Sequence, residues 1–214
     1  MVHKNKRLNI IDLGSYGGFP DPWVSNLSHV NFALCIDAFR VRKKHRIKGF
    51  RYIKNTIYKE KCVHNFYILN KSRCSSLYEP NYEFIRDLHG KIPHKYRIKR
   101  KQSIECCRLD TILDKIKVKF DFIKSDLQGS DIDAIMSAGK HLNNVVGICT
   151  EIYLKPFYKD IILFEEADRL LNNFGFILVK KLKRENNIFN NFLYLKESFN
   201  DKNKINLIRK IFEI

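Results

Sequence analysis

The sequence predicts an α/β fold, a mostly parallel sheet with an antiparallel C-terminal hairpin strand. Three observations lead there. Apolar runs of strand length alternate with segments of helical spacing along most of the 214 residues, the pattern of strands joined by right-handed crossovers. The run IDLGSYGG, residues 11–18, breaks off in Gly14, Gly17 and Gly18. That marks a buried strand whose carboxyl end turns sharply, because the backbone there takes positive φ or admits a ligand where a Cβ would collide. The last two strand-like runs are joined only by residues 182–190, too few for a helical crossover, so they form an antiparallel hairpin at the sheet edge.

In chain order, strand-like runs occupy residues 8–13, 31–37, 50–57, 64–69, 119–126, 144–152, 174–180 and 191–196, set apart by turn residues. Helical spacing fits 82–88, 131–138 and 162–172. In the last of these, Leu163, Phe164, Ala167, Leu170 and Leu171 share one face. Ile205, Leu207, Ile208, Ile211 and Phe212 are spaced for a terminal helix within the basic tail 200–214. No repeat or linker interrupts the chain, and a single domain over 1–214 is expected. Residues 71–110 are the least regular, with Pro80, Pro93 and many basic side chains. They read as an insertion that faces a substrate or, equally, as a structural excursion.

A 44% hydrophobic and 13% aromatic content excludes disorder. No apolar run approaches the roughly 20 residues that span a bilayer. The basic start MVHKNKRLNI lacks the apolar core of a secretory signal, so a cytoplasmic location is expected. The six cysteines include no CxxC pair and read as reduced thiols; Cys35 and Cys149 lie in apolar strands as small hydrophobes. The net charge of +17 is concentrated in RVRKKHRIK, residues 40–48, and HKYRIKRK, residues 94–101. Such runs suit nucleic acid or acidic glycan, but the chain is rich in Lys, Asn and Ile throughout, which favours a solvated basic surface.

Ligands of open α/β sheets lie beyond the carboxyl ends of the strands, where strand order reverses. Acidic residues recur there: Asp12 with Gly14, then Asp37, Asp126 and Glu151. Each alone is equally a helix cap or ion-pair partner; together they argue for one site. Asp37 follows Gly14 by 23 residues, near the interval at which an acid meets a nucleotide ribose. The spacing G-x-x-G-G is not the pyrophosphate fingerprint, so an adenosine ligand without phosphates, such as S-adenosylmethionine, fits better than a dinucleotide.

The segments IDLGSYGGFPDPW, CIDAF, RCSSLYEPN, RLDTIL, DFIKSDLQGSDIDAI, EIYLKPFY and FGFILVKK together resemble the FkbM-type S-adenosylmethionine-dependent methyltransferases. The resemblance implies a Rossmann-like class I methyltransferase sheet of seven strands and O-methylation of sugars, glycolipids or polyketide hydroxyls. It also implies roles. Gly14, Ser15 and Gly17 border the cofactor's methionine part, with Asp12 supporting that turn. Asp37 and Ala38 hold the ribose. Asp126, in K-x-D-x-x-G, lies nearest the transferred methyl, with Lys124 and Glu151 completing the catalytic group. Ser75, Ser76, Asn81 and Gln128 face the substrate. Asp37-Ala38 stands where the family usually has Glu-Pro, and Gln128 where it often has Glu. With only seven residues before the first strand, the expectation is a more exposed cofactor or one covered by a second subunit, as in a homodimer.

A sugar hydroxyl is a poor nucleophile and needs a base. Asp126 is the first choice, ahead of His141 and His94. A metal held by Asp126 and Glu151 stays an open alternative, but two carboxylates without histidine at ligand spacing are a weak signature, and no metal ligand is assigned. The favoured acceptor is a small molecule, sugar, glycan or glycolipid. The rivals are a methyltransferase for RNA or another polyanion, a cofactor-binding partner subunit without activity and, more distantly, a NAD-dependent oxidoreductase. The chain contains no N/D-P-P-Y/F element of the amino-methylating nucleic-acid enzymes.

Overall fold

A computed structural model of the protein describes residues 7–39, 49–182 and 187–214; the basic run 40–48 lies outside the described residues. The strands are β1 (Leu8–Leu13), β2 (Val30–Asp37), β3 (Phe50–Lys54), β4 (Thr56–Ile57), β5 (Cys62–Leu69), β6 (Ile98–Cys107), β7 (Phe122–Ser125), β8 (Gly147–Tyr153), β9 (Ile177–Leu182) and β10 (Phe189–Leu195). The helices are α1 (Tyr82–His89), α2 (Leu109–Ile116), α3 (Asp131–Met136), α4 (Phe164–Asn173) and α5 (Lys202–Ile211). Seven strands form the main sheet in the order β3-β2-β1-β7-β8-β10-β9. Only β10 runs against its neighbours, and with β9 it forms the edge hairpin that the short connection requires. The chain steps outward from β1 to β3 and then returns to the other side of β1, so strand order reverses between β1 and β7.

Central parallel strands are buried on both faces, which is why they read as unbroken apolar runs. Ile11, Leu13, Leu34, Ile36, Ile123 and Ile148 pack on one side with α2, α3 and α4. Leu8, Ile10, Ala33, Phe122 and Leu193 face the other side, covered by Trp23 and by Ile205, Ile208 and Ile211 of α5. Trp23 packs edge-on against Phe122 at 4.7 Å. Among the described residues no helix is long and apolar enough to cross a membrane.

The sheet-leaving excursion begins earlier than residue 71. The run 50–57 is two strands, broken at Asn55, whose N–H donates to Asp37 O (2.9 Å) and whose side chain accepts from Thr56 N (2.8 Å). Beyond that point β4, β6 and β5 build a separate three-stranded sheet, so the run 64–69 belongs there and not to the main sheet. Neither β6 nor α2 is apparent in the sequence. Most of the first half of β6 is charged and exposed, which hides its alternation. Helix α2 buries Leu109, Ile112 and Leu113 in a segment too short to show a clear period.

Gly14 closes β1 in the left-handed region (φ 83°), and a Cβ there would stand 2.0 Å from the backbone oxygen of Asp126. The neighbouring strand end therefore dictates this glycine. Gly90, which ends α1 at φ 69°, has open space around the same position. Gly90→Ala should cost about 1 kcal/mol, the left-handed penalty alone. Gly14→Ala should cost more than about 2 kcal/mol, because a strand end must also move. Urea unfolding of both variants checks this, and equal losses would show that the Gly14–Asp126 approach is unimportant.

Candidate active site

The reversal of strand order opens a cavity of about 560 Å³ at the carboxyl ends of β1, β2 and β7, within the range of small-molecule sites. Its foundation is an ion pair on adjacent strands. Asp12 of β1 stands in register with Lys124 of β7, and the ammonium lies 3.2 Å from Asp12 Oδ1. Ser15 Oγ donates to Asp12 Oδ2 (2.5 Å), drawing the turn Ser15–Gly17 down onto the strand. Burial raises the Asp12 carboxyl above its ordinary range, with Lys124 and Ser15 opposing. Burial also disfavours the Lys124 ammonium, but Asp12, Asp126 and Asp131 outweigh it and hold its pKa above the usual lysine range. Cys35 of β2 and Cys149 of β8 occupy the flanking register positions; burial and the charge of Asp12 push the Cys35 thiol up to about 12.

At one end of the cavity, Asp37 closes β2, buried, with Phe39 N donating to Oδ1 (2.7 Å). Burial raises its pKa to about 6, aided by Asp12, while the Phe39 and Tyr16 amides and Lys124 pull it down. An aromatic wall runs beside it: Tyr16 meets Phe39 edge-on at 6.1 Å, and Phe39 meets Phe66 at 5.5 Å. At the other end stands Asp126, just past β7. Gln128 Nε2 donates to Asp126 Oδ1 (2.7 Å) and to Glu151 Oε1 (3.1 Å), bridging the two acids. The loop that carries them is folded by Asp131, which accepts from Ser125 Oγ (2.6 Å), Leu127 N (2.8 Å) and Gly129 N (3.1 Å). Burial, with the charge of Asp126, lifts Asp131 to about 6 against those three bonds.

Of the residues expected from sequence, Gly14, Asp37, Ala38, Ser75, Lys124, Asp126 and Gln128 line this one cavity. Asp12 and Ser15 lie beneath it as support, and Gly17 closes the turn above them. Glu151 sits below Gln128, buried and outside the lining. Ser76 and Asn81 do not line the cavity. Ser76 Oγ donates to Gln128 O (2.7 Å), and Asn81 caps α1 by accepting from Phe84 N (3.2 Å). His141 faces Asp114 (2.9 Å) and His94 is exposed beside Asn70; neither reaches the site. Sequence reading missed Asp131, although Ser125 and Asp131 bracketing D-L-Q-G-S is a loop-closing signal. It also missed Tyr16, Phe39, Phe66, Lys71 and Arg73, which nothing distinguishes in a sequence rich in aromatic and basic residues.

The residues fit a nucleoside-type cofactor: a turn whose Gly14 and Gly18 line the cavity without side chains, a buried carboxylate for vicinal hydroxyls and an aromatic wall for a base. No group of three His, Cys, Asp or Glu side chains able to hold a metal occurs among the described residues.

No curated protein matches the sequence. Among solved structures, the chain is similar to the crystal structure of magnesium protoporphyrin IX methyltransferase from Synechocystis PCC 6803 with bound SAM. That likeness has a TM-score of 0.41 and 9% identity, covering 91% of this chain and 72% of the other, and so distant a likeness says nothing of chemistry. The model of the methyltransferase FkbM domain matches residues 28–178. That span takes in Asp37, the whole excursion and the loop from Asp126 to Asp131, and on it the chain belongs to the FkbM family of S-adenosylmethionine-dependent methyltransferases.

Proposed function

We propose that this protein is an O-methyltransferase acting on a hydroxyl of a sugar, glycan or glycolipid, the whole chain working as one domain. The observation that supports this is the placement of Asp37 and Asp126, delivered by separate strands, in the lining of one cavity. Bound S-adenosylmethionine supplies an electrophilic methyl group carried on sulfonium. Asp37 accepts hydrogen bonds from the ribose hydroxyls, which its buried carboxylate exchanges for scarce water. Gly14 and Gly18 line the cavity and leave room for the methionine part. Asp126 takes the acceptor's hydroxyl proton. Its Oδ1 is committed to Gln128, so Oδ2 is the basic atom. Lys124, tied to Asp12, holds positive charge beside Asp126 without donating to the acceptor. Gln128, anchored by Glu151, fixes the carboxylate's rotation. Alignment of hydroxyl and methyl contributes roughly 7–11 kcal/mol, and the base a further 10²–10⁴-fold, about.

These roles separate by mutation. Asp37→Asn should weaken cofactor binding about tenfold or more, the value of hydrogen bonds to a charged group, as read by calorimetry. Asp126→Asn should leave that affinity within about threefold and slow single-turnover methylation of the acceptor by roughly 10²–10⁴. Native cofactor affinity in the Asp37 variant would overturn its assignment.

The pKa of about 6 at Asp37 adds a pH signature. The ionised form accepts the ribose hydroxyls, so proton and cofactor compete. Affinity should be flat above pH 7 and should fall as pH drops through about 6, toward tenfold per unit. Asp37→Asn should remove that step. A step of equal size in the variant would assign the titration elsewhere, with Asp131 the next group to test.

A further inference from the structure

One lip of the cavity is the segment Lys71–Ser75, whose residues all belong to the lining. Its backbone is pinned from several sides. Cys74 N donates to Lys71 O (2.8 Å), Lys71 N to Lys95 O (2.9 Å) and Tyr158 Oη to Cys74 O (2.8 Å). The side chains of Lys71 and Arg73 are exposed, and neither has an ion-pair partner among the described residues. This contrasts with Lys124, the other cation in the lining, which Asp12 neutralises. The Cys74 thiol, carried on the same segment, feels Lys71 and Lys95 on one hand and Glu151 and Asp126 on the other. Tyr158 Oη, bonded to Cys74 O, also reaches Gln128 Oε1 (3.4 Å), and Gln128 donates in turn to Asp126, so the segment that carries Lys71 and Arg73 borders the Asp126 end of the cavity, where the acceptor would enter.

Two uncompensated cations fixed on a rigid turn repel each other and gain when an oxyanion lies between them; a guanidinium fork and an ammonium are the groups that hold phosphate or carboxylate. We infer that the acceptor is a hydroxyl compound that also carries an oxyanion, phosphate or carboxylate, held by Lys71 and Arg73 while its hydroxyl reaches Asp126. The inference rests on the methyl-transfer reading above. It gives the +17 chain a local use for charge: two side chains that orient a small anionic acceptor.

The test is calorimetric titration of the protein, saturated with S-adenosylhomocysteine, with glucose 6-phosphate, glucuronate and glucose. The same series is run on the Lys71→Gln/Arg73→Gln double variant. Both side chains are exposed, so folding is unaffected. Wild-type protein should bind one of the two anionic sugars at least tenfold more tightly than glucose, and which one it prefers distinguishes phosphate from carboxylate. The double variant should lose that preference and keep its S-adenosylhomocysteine affinity within about twofold. Equal binding of glucose and the anions overturns the inference, as does failure of all three to bind. A loss of S-adenosylhomocysteine affinity in the double variant also overturns it, by assigning the cations to the cofactor's carboxylate. If S-adenosylhomocysteine does not bind the wild-type protein, the methyl-transfer reading falls first and this inference with it.

Discussion

The cleft depends on one buried ion pair. Lys124 and Asp12 face each other across β1 and β7, where strand order reverses and the two carboxyl ends diverge. Asp12 is wholly buried, and Lys124 keeps only a small part of its side chain exposed, toward the cavity. Removing one partner of such a pair costs about 3–5 kcal/mol, because the survivor stays buried and unmatched. The pair also governs what lies above it. Through Ser15 it fixes the glycine turn. Lys124 Nζ also lies 3.5 Å from Leu13 O, the carbonyl just before Gly14. Once those two strand ends are locked in register, Gly14 must pass against the Asp126 carbonyl, and only glycine can.

A second tie joins the excursion to this platform, and Gln128 is its centre. Its side chain bridges Asp126 and Glu151, its carbonyl accepts from Ser76 (2.7 Å), and its backbone sits in the left-handed region (φ 57°). Tyr158 adds a bond to Cys74 O. Moving the excursion therefore disturbs the rotation of Asp126, which couples the wall that the excursion builds to the Asp126 end of the cavity. This explains a swap of roles among the expected residues. Ser76 and Asn81 lie in a segment that the sequence marks as unusual, but their work is to hold that segment in place, whereas Lys71, Ser72 and Arg73 face the opening.

What the sequence discloses follows from where burial imposes a pattern. Strands β1, β2, β7 and β8 are legible because both of their faces are apolar, and the hairpin is legible because its connection is short. Their acidic ends follow at once, so Asp12, Asp37, Asp126 and Glu151 stand out in a basic chain. The excursion is legible in neither respect. Residues 50–57 look continuous because Asn55 breaks the strand by a hydrogen bond to Asp37 O, a contact no local pattern encodes. In β6 the exposed run of Lys99, Arg100 and Lys101 masks a strand whose apolar face begins only at Ile104. Ser76 and Gln128 meet across 52 residues of sequence. Lys71 and Arg73 are two cations among 40, and only their position on the lip sets them apart.

The charges are sorted in space more sharply than the net charge suggests. Lys124 feels Asp12, Asp126 and Asp131 and in turn lowers Asp37, so a single ammonium serves four carboxylates, Asp37 and Asp126 in the cavity floor and Asp12 and Asp131 beneath it. The cluster is under-neutralised: burial raises Asp12, Asp37 and Asp131, each raised by at least one other carboxylate as well. A ligand bearing a sulfonium or an ammonium relieves that repulsion, and a dianion entering the same floor would worsen it. The exposed cations sit on the lip, away from the floor, which reverses the preference within one cavity: positive ligand groups are favoured deep in the site and negative ones at the entrance. On the proposed reading this gradient orients the two reactants without any contact between them. A cationic cofactor settles against the strand ends, and an anionic acceptor is held far enough out that only its hydroxyl reaches Asp126.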